Sequence, residues 1–359
     1  MTDDLQAIRE RIDALDEELQ ARISERAALA QEVARTKSAL GQEVEYYRPE
    51  REAEVLRKVQ ARNQGPLEAE EMARLFREIM SACLALEQPM RIAFLGPEGT
   101  FTQAAALKHF GHSVTTVPLG AIDEVFREVE AGSAHYGVVP VENSTEGVIA
   151  HTLDMLFSSP LKICGEVELR IHHHLMGRGT DLAGVQRVYS HSQSLAQCRE
   201  WLDAHLKEVE RVDVRSNAEA ARRAAEEEGA VAVAGEAAAE LYGLEVIARN
   251  IEDQPDNTTR FLVLGRNGIP ASGDDKTSLV LSTRNEPGAL YGLLQPLSAN
   301  GVSMTRIESR PSRRGMWEYV FFLDLEGHTD DAPVKQALAE LEREASLFKV
   351  LGAYPKAVL

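Results

Sequence analysis

Cysteine and long apolar runs are both scarce in this chain, and each shortage excludes a class of protein. The chain has 359 residues with three widely spaced cysteines, Cys83, Cys164 and Cys198, so neither a disulfide framework nor a paired-cysteine zinc site is indicated. No stretch approaches the roughly 18 consecutive apolar residues of a membrane helix. The acidic, amphipathic start lacks the basic and apolar segments of a secretory signal. We therefore expect a cytoplasmic protein with reduced cysteines and no membrane partner.

An excess of positive charge is also missing. The formal net charge of -18 argues against a nucleic-acid partner, because such binding draws on clustered lysines and arginines. The same field repels anionic substrates, so an anion site must be built locally from a few converging cations. The length exceeds what one hydrophobic core usually holds and indicates two or three domains.

Glycine and proline are absent from residues 5–36, and this absence predicts one long helix. Its apolar residues recur at three- and four-residue spacing, at Leu5, Ile8, Ile12, Leu15, Leu19, Leu29 and Val33. Arg22 and Arg26 stand where this series requires apolar residues. Two shorter helices, predicted to open at Arg48-Pro49 and at Pro66, are too short to cover the first. We expect the long helix to pair with a second copy of the chain.

Cations on the long helix suggest an anion site. Lys37 follows Arg26 by eleven residues, and eleven steps of about 100° return to nearly the same face. Arg9 lies roughly a quarter turn away and far along the helix, so it would reach a shared pocket best from another chain. A solvated helix with weak surface ion pairs is the alternative. Only Arg26, a cation inside an apolar seam, favours a ligand or a partner.

The pattern changes at Gln88-Pro89, after which short apolar strands alternate with helical segments. This alternation indicates an α/β unit with largely parallel sheets. Four loops concentrate small polar residues, at 96–102, 142–147, 190–193 and 256–260, and three of them directly follow a strand, where ligands bind in open α/β sheets. The run His172-His173-His174 has no accompanying ligand set, so we expect these histidines to be structural rather than metal ligands.

A Gly-Ser-Asp stretch, 268–275, is typical of a linker. The segments after it follow the order strand, helix, strand, strand, helix, strand, which is the ferredoxin-like arrangement. The sequence thus predicts a multidomain chain: an all-α three-helix unit at 1–90, a two-lobed α/β unit at 91–267 and an α+β ferredoxin-like domain at 276–359.

The first unit resembles the all-helical chorismate mutases in the run from Ile8 to Asp13, in Leu15-Asp16 and Glu25-Arg26, and in Lys37 and Arg51-Glu52. The resemblance implies an intertwined dimer. Its pockets would take Arg26, Lys37, Arg48, Arg51 and Glu52 from one chain and Arg9 from the other. In such enzymes the arginines hold the two carboxylates of chorismate, and Lys37 would donate to the ether oxygen. The rearrangement to prephenate then needs orientation and charge stabilisation, with no metal or cofactor.

Two positions depart from the better-known mutase pattern. Cys83 and Glu87 stand where a Ser and a Gln are found there. An ionised Glu87 would repel the negative charge that develops on the ether oxygen, whereas a protonated one would donate to it. We therefore predict that Glu87 has a raised pKa and that mutase activity falls as Glu87 ionises.

The middle unit looks like prephenate dehydratase, with the residues that carry the likeness at Gly96 to Phe101, Glu142-Asn143-Ser144 with Gly147, and Thr259-Arg260-Phe261. The resemblance implies two lobes with the site in their cleft, where prephenate loses its ring hydroxyl and a carboxylate to give phenylpyruvate. Thr259 would assist the departing hydroxide. The substrate would be positioned by Thr100, Asn143, Ser144 and Gln193. Arg260 either holds a carboxylate or pairs with an acid such as Asp256.

The last unit resembles the ACT regulatory domain in the runs 285–290 and 308–311. The amides that open its first helix suit the carboxylate of an amino acid, and the implied effector is phenylalanine, bound between paired domains. The effector residues would be Gly288, Ala289, Leu290, Asn300, Glu308, Ser309 and Arg310. A plain dimerisation module is the alternative, since a fold alone does not prove ligand binding.

The three resemblances together imply the family of bifunctional chorismate mutase/prephenate dehydratases of phenylalanine biosynthesis, forming homodimers or homotetramers. A ligand-sensing regulator is the rival from another class, but it would need a DNA-binding helix pair and a basic surface, and the first unit shows neither. A closer rival keeps the dehydratase and leaves the helical unit only for dimerisation. Separate assays on chorismate and on prephenate distinguish these.

Overall fold

A computed structural model describes residues 2–39, 47–179, 181–283, 286–311 and 319–359. Asn285 of the predicted effector motif and the side chain of Lys37 lie outside this description. The chain divides into two compact units, one of Met1–Arg48, Val55–Met90 and Phe110–Thr115, the other of Pro49–Glu54, Arg91–His109 and Thr116–Leu359. Within the described residues, no helix has both the length and the hydropathy that a membrane span requires.

The N-terminal region is helical, with α1 at Thr2–Ala39, α2 at Pro49–Arg62 and α3 at Ala69–Ala85. Pro49 occupies the first turn of α2 together with Glu50 and Glu52, which suits the positive end of the helix dipole. The predicted start of α3 at Pro66 is wrong by three residues. The Asn63 side chain donates to the Leu67 carbonyl at 2.7 Å and holds the intervening loop outside the helix.

The apolar stripe of α1 is uncovered in a single chain. Its members are between 42% and 59% exposed: Leu5, Ile8, Ile12, Leu15, Leu19, Ile23, Leu29 and Val33. At about 25 cal/mol per Å² of apolar surface, leaving such a stripe in water is unfavourable. The described part of one chain therefore does not supply the surface that this helix is patterned to bury.

The first lobe of the α/β unit contains β1 Arg91–Leu95, α4 Phe101–Phe110, β2 Thr115–Leu119, α5 Ile122–Glu130, β3 Tyr136–Asn143, β4 Gly147–Val148, α6 Ala150–Ser158, β5 Lys162–Arg170 and the returning strand β11 Thr258–Gly265. Its sheet has the order β2-β1-β3-β11-β5, with β4 paired to β3. β1 runs parallel to β3, but β11 is antiparallel to both β3 and β5. The sheet is mixed, because the chain re-enters it from the second lobe.

The second lobe contains β6 His174–Gly177, β7 Arg187–Ser190, α7 Ser192–Gln197, α8 Arg199–His205, β8 Glu210–Asp213, α9 Asn217–Glu226, β9 Ala230–Ala234, α10 Glu236–Tyr242 and β10 Glu245–Ala248. Its sheet order is β10-β6-β9-β7-β8. β7 runs parallel to β8 and β9, whereas β6 is antiparallel to β9 and β10. The expectation of largely parallel sheets is therefore wrong for both lobes.

The C-terminal domain contains β12 Asp275–Ser282, α11 Ala289–Ala299, β13 Met304–Pro311, β14 Tyr319–Glu326, α12 Ala332–Glu344 and β15 Leu347–Pro355. Its antiparallel sheet has the order β13-β14-β12-β15, which confirms the ferredoxin-like prediction. The predicted linker, 268–275, ends one residue early, because β12 already begins at Asp275. Asp275 is buried at the start of β12, and its carboxylate accepts from the backbone N–H groups of Ser272 and Gly273.

Both faces of this last sheet are buried. One face packs on α11 and α12, where Leu279 and Leu323 meet Leu293 and Leu338. On the other face, Val280, Phe322 and Leu351 join Ile163 and Leu262 of the first lobe in one hydrophobic core. A Cβ at Gly352 would lie 2.2 Å from the carbonyl oxygen of Ile163, so only glycine permits this approach of β15 to β5.

Candidate active site

A cavity of about 260 Å³ opens between the two lobes of the α/β unit. All four polar loops of the sequence contribute to its wall, through Thr100, Asn143, His191 and Thr259 among others. The second lobe adds Arg215, Ser216 and Asn217 at the start of α9. The cavity lies at the ends of strands, where open α/β sheets place their ligands.

The pair Thr259 and Asn143 forms the centre of the wall. These residues are directly opposite each other on β11 and β3, and both are buried. The Asn143 Nδ2 donates to the Thr259 Oγ1 at 2.8 Å. Because the threonine oxygen already accepts this bond, its own hydrogen is free to be donated to a further acceptor.

The orientation of Asn143 is fixed by its other contacts. Its Oδ1 accepts from the backbone N–H groups of Thr145 at 3.0 Å and Glu146 at 3.1 Å. Its Nδ2 also donates to Asn257 Oδ1 at 2.8 Å. A donor held in this way needs no reorganisation when a substrate arrives, which is the condition for electrostatic stabilisation of a transition state.

Gln197 extends this network to His173. Its Oε1 accepts from Asn257 Nδ2 at 3.0 Å and lies 2.9 Å from His173 Nε2, while its Nε2 donates to Thr145 Oγ1 at 3.0 Å. The amide oxygen can only accept, so the imidazole proton is on Nε2 and Nδ1 is a bare acceptor. Burial lowers the pKa of His173, which keeps the ring neutral, and Nδ1 has no hydrogen-bond partner among the described residues.

The three consecutive histidines have separate contacts. His172 Nδ1 lies 2.7 Å from Glu252 Oε1, and His174 Nδ1 accepts from the Asn250 N–H at 3.1 Å. Only His174 lies within a strand, so strand alternation is not what separates the rings. In the described part of the chain, no three His, Cys, Asp or Glu side chains are grouped so as to hold a metal. Within the described residues the three cysteines form no disulfide, and all three are buried.

The other residues proposed for the dehydratase occupy different positions. Thr100 lines the cavity, but its hydroxyl donates to the Pro97 carbonyl at 2.9 Å. Gln193 lines it from the first turn of α7. The Ser144 hydroxyl accepts from the Thr258 N–H at 3.0 Å and pins β11 to the loop after β3. Ser144 is not part of the cavity wall.

Arg260 lies away from the cavity. Neighbouring residues of a strand point to opposite faces, so Arg260 faces the C-terminal domain while Thr259 faces the cavity. Its guanidinium donates to Glu166 Oε2 at 2.8 Å and to Asp324 Oδ2 at 2.6 Å. Asp256 is therefore wrong as its acid partner. Burial lowers the pKa of Arg260, but the charges of Tyr354, Asp324 and Glu166 raise it by more, and the net shift is upward.

Sequence reasoning assigns no role in this site to four of its residues. Gln197, Asn257 and His173 extend the hydrogen-bond network of Asn143 and Thr259, and Arg215 is the one Lys or Arg side chain among the described residues that line the cavity. Arg215 directly precedes Ser216, whose side chain caps α9 by accepting from the Glu219 N–H. The run Arg-Ser-Asn before a helix was the available signal, since it places a cation beside the N-terminus of a helix.

Two of the residues proposed to bind chorismate, Arg9 and Arg26, lie far apart on one helix. Arg9 and Arg26 are seventeen residues apart on the same helix, a distance of about 25 Å. Arg26 is half-buried, and neither arginine has an ion-pair partner within the described residues. Arg51 pairs with Glu54 at 2.9 Å. Glu87 follows the end of α3, in a turn closed by its N–H to the Leu84 carbonyl.

The remaining proposed residues have the following positions. Arg48 is exposed and precedes α2, Glu52 is half-buried, and Cys83 is buried on α3. In the C-terminal domain, Gly288 caps α11 with a left-handed backbone, and Ala289 and Leu290 open that helix. The Asn300 side chain donates to the Pro296 carbonyl at 2.9 Å. On β13, Glu308 is half-buried, Ser309 is exposed and Arg310 lies 3.5 Å from Asp154.

Comparison with known proteins assigns a family to each region. Residues 8–88 match the family model of chorismate mutase type II, residues 92–269 that of prephenate dehydratase and residues 277–343 that of the ACT domain. Proteins named bifunctional chorismate mutase/prephenate dehydratase from Stutzerimonas stutzeri and Pseudomonas aeruginosa are 60% and 58% identical, each over 99% of both chains. The crystal structure of the Arthrobacter aurescens prephenate dehydratase in complex with L-Phe is 36% identical, with a TM-score of 0.69, covering 74% of this chain and 90% of that one.

Proposed function

The chain belongs to the family of bifunctional chorismate mutase/prephenate dehydratases, and on that premise we propose that its helical unit converts chorismate to prephenate and its α/β unit converts prephenate to phenylpyruvate. The observation that carries the second activity is the buried Thr259 hydroxyl, whose oxygen is fixed by Asn143 in the cavity wall. Phenylalanine, acting at the ACT domain, inhibits this step.

The dehydratase step breaks the bond from the ring to the carboxylate and the bond from the ring to the hydroxyl oxygen. Because aromatisation drives the reaction, the group that assists the hydroxyl need not be a strong acid. The electron pair of the bond to the departing carboxylate moves into the ring, and the ring expels its hydroxyl group as the aromatic system forms. Thr259 donates its hydrogen bond to the leaving oxygen, and the amide of Asn143 keeps the threonine oxygen in place. Such a donor stabilises charge where it develops.

Arg215 is the carboxylate binder in this proposal, in place of Arg260, for which carboxylate binding is one of two predicted roles. It lies in the cavity wall beside the N-terminus of α9, where backbone N–H groups also favour an anion. Arg260 is already committed to Glu166 and Asp324. Because the chain has a net charge of -18, its overall field repels anionic prephenate, and Arg215 supplies a local attraction for a substrate carboxylate.

The mutase pocket is completed by a second copy of the chain. The uncovered apolar stripe of α1 supports this pairing, and so does the half-buried guanidinium of Arg26, which has no ion-pair partner among the residues that the structure describes. The pocket combines Arg26, Lys37, Arg48, Arg51, Glu52, Cys83 and Glu87 of one chain with Arg9 of the other. Dimers and tetramers can both contain this intertwined pair, and the rearrangement requires no cofactor.

Phenylalanine binds where the ACT domain presents helix-start amides and the polar residues of β13. The site comprises Gly288, Ala289, Leu290, Asn300, Glu308, Ser309 and Arg310. Gly288 caps α11 with a left-handed backbone, and the positive end of the helix dipole at this terminus favours a carboxylate. The enzyme works in the cytoplasm, where its buried thiols stay reduced.

Separate assays of the purified full chain on chorismate and on prephenate test these assignments. We expect both substrates to be converted, and phenylalanine to suppress phenylpyruvate formation. Conversion of prephenate alone would leave the helical unit as a dimerisation element. Conversion of neither substrate would refute both activities.

A further inference from the structure

The catalytic pair Thr259 and Asn143 has a charged pair directly behind it. Arg260 and Glu142 are the next residues of the same two strands, and they too are opposite each other in the register of β11 and β3. Because strand side chains alternate, one pair faces the cavity and the other faces the ACT sheet.

The ACT sheet meets this charged pair with a complementary one. Asp324 of β14 binds Arg260 at 2.6 Å, and Arg306 of β13 binds Glu142 at 2.7 Å. Arg306 and Asp324 are themselves opposite each other in the register of β13 and β14. The contact is thus two cross-strand pairs, one from each sheet, with their charges matched.

Further charges fix the cluster. Glu166 of β5 accepts from Arg260 at 2.8 Å and from Lys276 of β12 at 2.7 Å. Ser278 donates to Asp324 Oδ1 at 2.5 Å. The cluster therefore balances three cations and three anions: Arg260, Lys276, Arg306, Glu142, Glu166 and Asp324. Its buried members cannot move apart without leaving a charge unpaired, which is far costlier than an exposed break.

We infer that Glu142 and Arg260 are positioning residues of the dehydratase site, held in register by Arg306 and Asp324 of the ACT domain. This inference rests on the proposed function of the cavity. A shift of the ACT sheet moves Arg306 and Asp324, Glu142 and Arg260 follow their counterions, and the backbones of β3 and β11 carry Asn143 and Thr259 with them. Binding of the effector then changes the positions of Asn143 and Thr259 through the neighbouring residues Glu142 on β3 and Arg260 on β11.

Glu142 and Arg306 give the sharper test, because the Glu142 side chain is 37% exposed and tolerates a charge change better than Glu166 and Asp324, which are 2% and 6% exposed. The variants are R306E, E142R and the double exchange E142R/R306E in the full-length enzyme. The control is R211Q, which breaks a comparable pair with Asp203 at 2.6 Å in the second lobe. Each protein is assayed for kcat and KM on prephenate, for the phenylalanine concentration that halves the rate, and for mutase activity.

We expect R306E to lower dehydratase kcat about tenfold with little change in KM, and to raise the half-inhibitory phenylalanine concentration about tenfold, within the usual range of coupling between sites. Mutase activity should match the control. The double exchange should restore both dehydratase values. R306E behaving like R211Q, or a double exchange that restores neither value, would overturn the inference while the wild type still converts prephenate. An inactive wild type would instead remove the proposed function, and this inference with it.

Discussion

The two catalytic regions of this molecule differ in how much of each site one chain contains. The dehydratase cavity is complete, with the orientation of each central amide fixed by at least two hydrogen bonds. In the helical region, Arg9 and Arg26 lie far apart on one helix, and the apolar stripe of α1 is open to water. Tertiary packing assembles the cavity of the α/β unit, whereas we propose that the mutase site is assembled by association of two chains. Their responses to mutation and to dilution should therefore differ.

Removing the Thr259 hydroxyl gives the largest expected effect and separates the two sites. Thr259→Ala should lower dehydratase kcat by about 10²- to 10⁴-fold, because no other donor replaces this hydroxyl beside the leaving oxygen. Mutase activity should be unchanged. Phenylpyruvate formation and chorismate consumption are measured on the same preparation. Full retention of both activities would refute the role of Thr259.

Mixing two defective chains tests whether the mutase site is shared. Arg9→Ala and Arg26→Ala should each lose about 100-fold in mutase activity, because each removes a charged contact to a carboxylate. Coexpression should restore about a quarter of the wild-type rate, since half of randomly formed dimers are mixed and each mixed dimer has one intact site.

The dehydratase activity of the same samples serves as the internal control for that experiment and should stay constant throughout. A mixture no more active than its components would show that both arginines act within one chain.

Replacing Arg215, the proposed carboxylate binder, gives a smaller effect. Arg215→Gln should raise the KM for prephenate by about 10- to 100-fold with kcat nearly unchanged, because a charge-assisted hydrogen bond to the substrate is lost. Arg215→Lys should recover part of this loss, since it keeps the charge. Initial rates over a range of prephenate concentrations decide the point, and an unchanged KM in Arg215→Gln would exclude the assignment.

The pH dependence of the mutase is the mildest test and concerns Glu87. Only the protonated carboxyl can donate to the ether oxygen, so the mutase rate should fall as pH rises through the pKa of Glu87. Glu87→Gln keeps a donor at every pH and should flatten the profile, with a change of a few-fold at most near neutrality. A wild-type rate that is level from acid to alkaline pH would contradict the prediction.

Periodicity and loop composition identified most of this architecture, and the failures have definite physical causes. The helical repeat of α1 and the order of elements in the C-terminal domain are both visible in the pattern of apolar residues. Strand direction is not visible there, because parallel and antiparallel strands buried on both faces have the same apolar composition. The return of the chain through β11 makes the first-lobe sheet mixed, and the antiparallel strands β6 and β10 do the same in the second lobe.

The site illustrates the same limit at the level of single residues. Thr259 and Arg260 share a motif, which leaves carboxylate binding and an ion pair as alternatives for Arg260, yet adjacent strand residues face opposite sides, so only Thr259 faces the cavity. Gln197 was missed because its importance comes from contacts with Asn257 and His173, which are distant in sequence. Sequence alone indicates which loops meet, whereas the direction of each side chain follows from the strand that bears it.

The close contact at Gly352 has a consequence for modularity. In sequence, the dehydratase and the ACT domain are consecutive and could be taken for independent domains. In the structure, Tyr354 and Leu351 belong to the same hydrophobic core as Val139 and Leu264, and the missing side chain of Gly352 lets the two sheets meet. A chimera with another ACT domain would have to reproduce this shared core and the close approach at Gly352. The ACT domain therefore packs into the hydrophobic core of the α/β unit rather than against its surface.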